Sequence, residues 1–203
     1  MAVLVPGFAG LTPALADIVG LLPIRAVNAA LLAQLAPRTT SVPLIAGVLS
    51  VDPFLSGASL YRRLAAGGIM GVVNLPSVAV ADGALQQALA MAGMAVEQEL
   101  RALVEARHHG LEPVAMVFSR AEAERAAGLG IGRLILHPGL PSGDDARDRA
   151  SSRAALATLD ALRRDGFDAL LYRHPDLAPW LPASRAGKGQ LGWQIEPPAQ
   201  PSP

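Results

Sequence analysis

Four apolar runs in this chain end alike. Each delivers a polar side chain and, within two residues, a proline: Asp52-Pro53, Asn74-Leu75-Pro76, His137-Pro138 and His174-Pro175. A carboxylate at such a place can bind a metal or orient water. A carboxamide can hold a carboxylate or phosphate oxygen, and an imidazole can act as acid–base or as a neutral donor to a developing enolate. Each also has a plainer use. Aspartate before proline makes turns and helix caps, asparagine satisfies loop backbone, and His174 borders an irregular, proline-rich end. His137 is the most informative, because an imidazole closing an Ile-Leu run is semi-buried and needs a partner. Downstream, Leu140-Pro-Ser142-Gly143-Asp144-Asp145 places small residues and free backbone N–H groups ahead of a helix. That arrangement can cradle an anion, so Ser142 and Gly143 are candidate substrate contacts; the two aspartates read equally well as N-cap and first-turn residues.

Other chemistries are excluded. The chain has no cysteine, which removes disulfides, thiol catalysis, Fe–S clusters and cysteine-zinc sites. No serine sits in a Gly-x-Ser-x-Gly elbow, and no His-x-x-x-His spacing offers a metal pair. The one metal the pattern allows is a single Mg²⁺ held by Asp52 and waters.

These residues need elements to position them. Short, nearly all-apolar runs recur at Ala2–Val5, Leu44–Leu49, Ile69–Leu75, Pro113–Phe118, Arg133–His137 and Asp168–Tyr172, as strands buried on both faces do. Leu191–Ile195 reads as one further short strand, which makes six to seven in all. Between them the spacing predicts helices over Arg25–Ala36, Ser59–Ala66, Met94–His109, Arg120–Ala127 (opened by the capping box Ser119-x-x-Glu122) and Arg147–Asp165. Strand alternating with helix implies a parallel sheet with crossover helices, either doubly wound or a (β/α)8 barrel. In both, the carboxyl ends of the strands share one rim, so the four polar residues converge there. Gly128-Leu-Gly130-Ile-Gly132 follows a helix and precedes a strand, the reverse of a dinucleotide loop. It reads as a tight αβ turn, and no nicotinamide or flavin is expected.

Composition sets the remaining bounds. With 203 residues and 51% apolar side chains, the chain can bury a large core. Seventeen basic and 17 acidic residues cancel, leaving no surplus to attract nucleic acid. Only seven of these charges lie in residues 1–96, so the first half is expected to be mostly interior. Residues 1–16 are uncharged and end in Ala14-Leu15-Ala16. Nothing basic precedes them, however, and Pro6 and Pro13 interrupt them, unlike a leader peptide. Residues 64–81 are uncharged but rich in turn residues, so no membrane association and a cytoplasmic location are expected. Residues 1–190 form one domain on this reading and 191–203 a proline-rich tail.

Val42-Pro-Leu-Ile-Ala-Gly-Val48, Asp52-Pro-Phe54, Gly71-Val-Val-Asn-Leu-Pro-Ser77, Asp82-Gly83, Ala92-Gly-Met94, Val117-Phe118 and His137-Pro-Gly-Leu140 follow one another in an order that resembles the phosphoenolpyruvate hydrolase-like barrels, relatives of the phosphoenolpyruvate mutases. The family pattern has Asp-Pro-Phe, Asn-aromatic-Pro-Thr and His-x-Gly-Leu elements; here Leu75 replaces the aromatic and Ser77 the threonine. The resemblance implies a TIM-type (β/α) barrel and an enzyme acting on a small oxoacid or enol phosphate. It keeps Asp52, Asn74 and His137 as catalytic candidates; beside them Ser77, Gly139, Ser142, Gly143 and His174 are candidate substrate contacts. It also implies a small anionic metabolite as partner. A first strand with its glycine-rich loop is not found, so the barrel is expected to be incomplete or open, with six to seven strands, and to favour a homo-oligomer or a partner chain that completes it. The alternative is a non-catalytic small-anion-binding or assembly module derived from such a barrel.

Overall fold

The computed structural model describes residues 2–6, 11–22, 26–35 and 43–181; the short strand expected at Leu191–Ile195 and the tail lie outside them. The six apolar runs form six strands: β1 (Ala2–Leu4), β2 (Leu44–Val48), β3 (Gly71–Asn74), β4 (Glu112–Val117), β5 (Arg133–Leu136) and β6 (Asp168–Leu171). All neighbouring pairs are parallel and the spatial order is the chain order. A doubly wound sheet reverses its order at a switch point. Here nothing reverses, every crossover falls on the same side, and the sheet curls into a half-barrel, an open (β/α) barrel of the TIM type.

The pleat divides the strand residues between two layers. Ala46, Val48, Val72, Ala115, Val117, Leu134, Leu136, Ala169 and Leu171 face outward and pack with the helices in the larger core. Val3, Ile45, Val73, Leu75, Val114, Met116, Ile135 and Tyr172 face inward in a second cluster. The strands are therefore apolar on both sides, and their sequences do not alternate.

The helices cover the outer layer with one apolar face each. In α3 (Gly57–Ala66) Leu60, Tyr61 and Leu64 are buried, and the Tyr61 hydroxyl donates to the Ala102 carbonyl at 2.8 Å. In α5 (Val96–Val104) the buried apolar pair is Leu100 and Leu103; the helix tightens into a 3-10 segment, Glu105–His109, and ends at Gly110, whose φ of +76° suits glycine. The Ser119 hydroxyl caps α6 (Arg120–Gly128), and Asp144 caps the 20-residue α7 (Asp145–Arg164) by accepting from the Arg147 N–H at 2.9 Å. Helix α2 (Val27–Ala33) packs beside β2 and α3. Two helices have no counterpart in the sequence expectations: α1 (Pro13–Val19), capped by Thr12, and α4 (Gly83–Met91). Helix α1 packs against the 3-10 turn Pro175–Leu177 that follows β6, so it lies at the carboxyl rim.

Close approach of strands explains one glycine in particular. A Cβ on Gly71 would lie 2.6 Å from the Glu112 carbonyl oxygen and 3.0 Å from Ile45 Cγ2, so a side chain there would force β3 away from its neighbour. No described helix is long and apolar enough to cross a membrane.

Candidate functional site

The inward register continues past the last ladder residues. His137 follows β5 with the parity of Ile135, and its N–H still donates to the Val117 carbonyl at 2.8 Å. Tyr172 follows β6 with the parity of Leu170, and its N–H donates to the Leu136 carbonyl at 2.8 Å. His174, two residues on, keeps that side. The three rings and Phe118 meet above the inner cluster: Phe118 stacks on His137 at 4.6 Å between centroids, Tyr172 tilts against it at 4.6 Å, and His174 is edge-on at 5.9 Å.

Helix α1 supplies the third polar group. Asp17 Oδ2 lies 3.7 Å from His137 Nε2 and 3.9 Å from His174 Nε2, distances too long for hydrogen bonds. Both imidazoles are buried and the aspartate side chain is 15% exposed. Among the described residues, neither Asp17 Oδ2 nor His174 Nε2 has a hydrogen-bond partner. Buried polar atoms are nearly always satisfied, so two orphans turned toward one another mark a place for a ligand or water oxygen.

Backbone contacts assign the proton on each ring. His137 Nδ1 accepts from the Gly139 N–H at 3.0 Å, and His174 Nδ1 from the Asp176 N–H at 3.2 Å. A neutral ring accepting at Nδ1 carries its hydrogen on Nε2, which faces Asp17. Burial pushes the His137 pKa below the ordinary 6.5, against the pull of Asp17. Burial, and then the neighbouring His137, push His174 down as well. The arrangement is thus two neutral N–H donors opposite one carboxylate.

Of the residues singled out in the sequence, His137, His174 and Gly139 come together here. Asp52 does not: its Oδ1 accepts from the Phe54 N–H at 2.8 Å and its Oδ2 from the Asn28 N–H at 3.4 Å, closing a turn and tying it to the start of α2. Asn74 has the parity of Val72 and faces the helix layer. Its Oδ1 accepts from the Met116 N–H at 2.7 Å and its Nδ2 donates to the Met116 carbonyl at 3.2 Å. The side chain therefore continues the β3–β4 pairing where the ladder stops at Val73–Val114. The amide also donates to Glu99 at 2.8 Å, and Ser77 Oγ donates to the same carboxylate oxygen at 2.7 Å. Ser142 does meet an anion, but an internal one: its N–H and hydroxyl both donate to Asp148 Oδ1 at 2.7 Å. The Ser142 hydroxyl, then its amide, hold the Asp148 carboxyl below the usual range. Gly143, at φ +77°, shapes that loop. Among the described residues, no group of three His, Cys, Asp or Glu side chains is placed to hold a metal ion.

Asp17 was not among the sequence candidates. The signal for it is isolation: it is the first charged side chain in the chain, and the next is Arg25.

An open parallel barrel whose carboxyl rim carries a carboxylate and two imidazoles defines the class of protein. Comparison narrows it. The chain belongs to the phosphoenolpyruvate hydrolase-like family, whose model matches residues 12–165. It is 34% identical over 131 residues to the uncharacterized protein y4oT of Sinorhizobium fredii, covering 64% of this chain and 67% of that one. It is 30% identical over 167 residues to the ToMV susceptible protein tm-1(GCR26) of Solanum lycopersicum, covering 78% of this chain and 22% of the tomato protein. The ToMV resistance protein Tm-1(GCR237) of the same plant is 32% identical over 127 residues, 61% of this chain and 17% of its own. The chain thus spans about a fifth of the tomato relatives and two thirds of the rhizobial one.

Proposed function

We propose that the chain is an acid–base barrel protein that interconverts a small oxoacid and its enolate, the enolate being formed in the site or released from an enol phosphate. The observation that carries this reading is the pair of neutral Nε2–H donors facing Asp17 Oδ2 in a buried rim site. Asp17 takes a proton from the carbon beside the carbonyl. The C–H electron pair becomes the new C=C bond, and the carbonyl π pair moves onto oxygen. His137 and His174 donate to that oxygen as charge develops. Neutral imidazoles suit this role, because a donor that stays uncharged in the resting site need not lose a proton or be desolvated as an ion. In reverse, Asp17 delivers the proton to carbon and an oxoacid leaves. An enol phosphate joins the same path once water has cleaved its P–O bond. Family membership supports the substrate class and the orphaned polar atoms support the site.

The test is solvent exchange. Wild type in D2O is expected to replace the methyl protons of pyruvate, followed by proton NMR, with Mg²⁺ and with EDTA in parallel. Asp17→Asn and His137→Gln should each slow exchange by about 10²-fold or more. Equal rates in all three chains would remove the site from the chemistry. A second reading, a binding module without catalysis, draws on the tomato relatives, whose names refer to a virus rather than a reaction; it predicts ligand binding with no exchange in wild type.

A further inference from the structure

The polar cluster shares its walls with a cavity of ≈ 320 Å³ that the reaction above does not use. Phe118, which stacks on His137, is one wall, and Gly139, which donates to His137 Nδ1, is another. Ile18, the neighbour of Asp17 in α1, lines it, as does Leu21 just past the helix's C-cap Gly20. The far side comes from the turn after β3 and from α4, through Val80 and Leu85.

The lining is chemically one-sided. Among the described residues that form it, it is apolar apart from backbone and one ionisable group, Asp82 at the exposed edge. A phosphate dianion placed there would meet two carboxylates, Asp82 and the nearby Asp17, and no cation among the described residues. An aliphatic chain would meet Ile18, Leu21, Leu85 and Phe118. The volume sits at the small end of ligand pockets, which fits a chain of a few carbons. Resting on the enolisation reading, we infer that the substrate is an unphosphorylated aliphatic 2-oxoacid, its carbonyl at the two imidazoles and its alkyl chain in the cavity between α1 and α4.

Calorimetry against pyruvate, 2-oxobutyrate, 2-oxopentanoate and 2-oxohexanoate tests this. Burying each methylene contributes about 0.8 kcal/mol, so the dissociation constant should fall about fourfold per added carbon, roughly sixty-fold across the series. Ala79→Phe and Leu85→Trp, which fill the cavity from two different elements, should each abolish the dependence on chain length. A flat series in wild type overturns the inference. So does a steep series that survives in both filled variants, or phosphoenolpyruvate binding more tightly than 2-oxohexanoate. The two readings fail separately. A flat series with exchange still abolished by Asp17→Asn removes the tail pocket and leaves enolisation standing. A steep series without exchange in wild type keeps the pocket and removes the chemistry.

Discussion

Glu99 gives the sharpest stability prediction. Its carboxylate is fully buried between α5 and the sheet. One oxygen accepts from Asn74 Nδ2 and Ser77 Oγ, the other from the Val78 N–H at 3.0 Å. Burial raises its pKa; the Ser77, Asn74 and Val78 donors lower it; the balance leaves it pushed up to about 7 from 4.5. A carboxyl whose folded pKa is raised binds its proton more tightly in the folded state. Stability from this group is therefore largest at low pH and is lost as pH climbs from about 4.5 to about 7. At 1.36 kcal/mol per unit, wild type should lose about 2.5 kcal/mol between pH 5 and pH 7.5 through Glu99 alone. Glu99→Gln removes the titration. The variant loses stability at every pH, because its amide N–H must face one of three donors, so the diagnostic quantity is the difference in slope and not the level. His137 and His174 work in the opposite sense. Their depressed pKa values stabilise the fold above 6.5 and cost stability below it, but they lie on the other face of the sheet and cancel between the two chains. The assay is urea unfolding at fixed pH values from 5 to 7.5. With a urea slope of about 1–3 kcal/mol per molar, the gap between the two midpoints should change by about 1 M. A difference in unfolding free energy between the two chains that stays constant to within about 0.5 kcal/mol across that range refutes the reasoning.

Three further outcomes follow from single contacts. Asp17→Asn should raise the unfolding free energy by about 1–3 kcal/mol, since it replaces a buried carboxylate oxygen that has no hydrogen-bond partner among the described residues, while slowing exchange; thermal unfolding alongside the NMR assay reads both. Gly71→Ala should cost about 1–3 kcal/mol or more, because the new Cβ meets the Glu112 carbonyl at 2.6 Å, measured as a fall in the urea midpoint at unchanged slope. Asp144→Ala removes the cap on α7 and should cost about 1 kcal/mol, seen in the same experiment.

Much of the fold is legible in the chain. Strands apolar on both faces, helices with clear end signals and strict alternation point to a parallel sheet, doubly wound or a barrel; the family resemblance is what implies the barrel, and all six expected runs became its strands within two residues at either end. The same double burial hides which way each side chain points. Val72-Val73-Asn74-Leu75 has no polar alternation, so nothing local says that Asn74 faces the helices while Val73 and Leu75 face the inside. Its partners, Glu99 and Met116, lie 25 and 42 residues away. Asp52 and Ser142 read as ligand contacts because turn chemistry and anion binding use the same residue types; the structure gives both to internal partners. His137 and His174 stand out in the sequence because an imidazole at a strand end reads as semi-buried, and the structure buries both. Asp17 was hidden by its setting. Helix α1 is seven residues long with no periodic stripe.

The central claim is that two neutral imidazoles present Nε2–H toward Asp17. Long-range ¹⁵N–¹H correlation spectra of the histidine rings read tautomer and charge directly. The account predicts that, at pH 7, His137 and His174 are both neutral with the hydrogen on Nε2, and that both titrate below the ordinary value of 6.5. An imidazolium at either position at pH 7, or a ring protonated on Nδ1 alone, would contradict it.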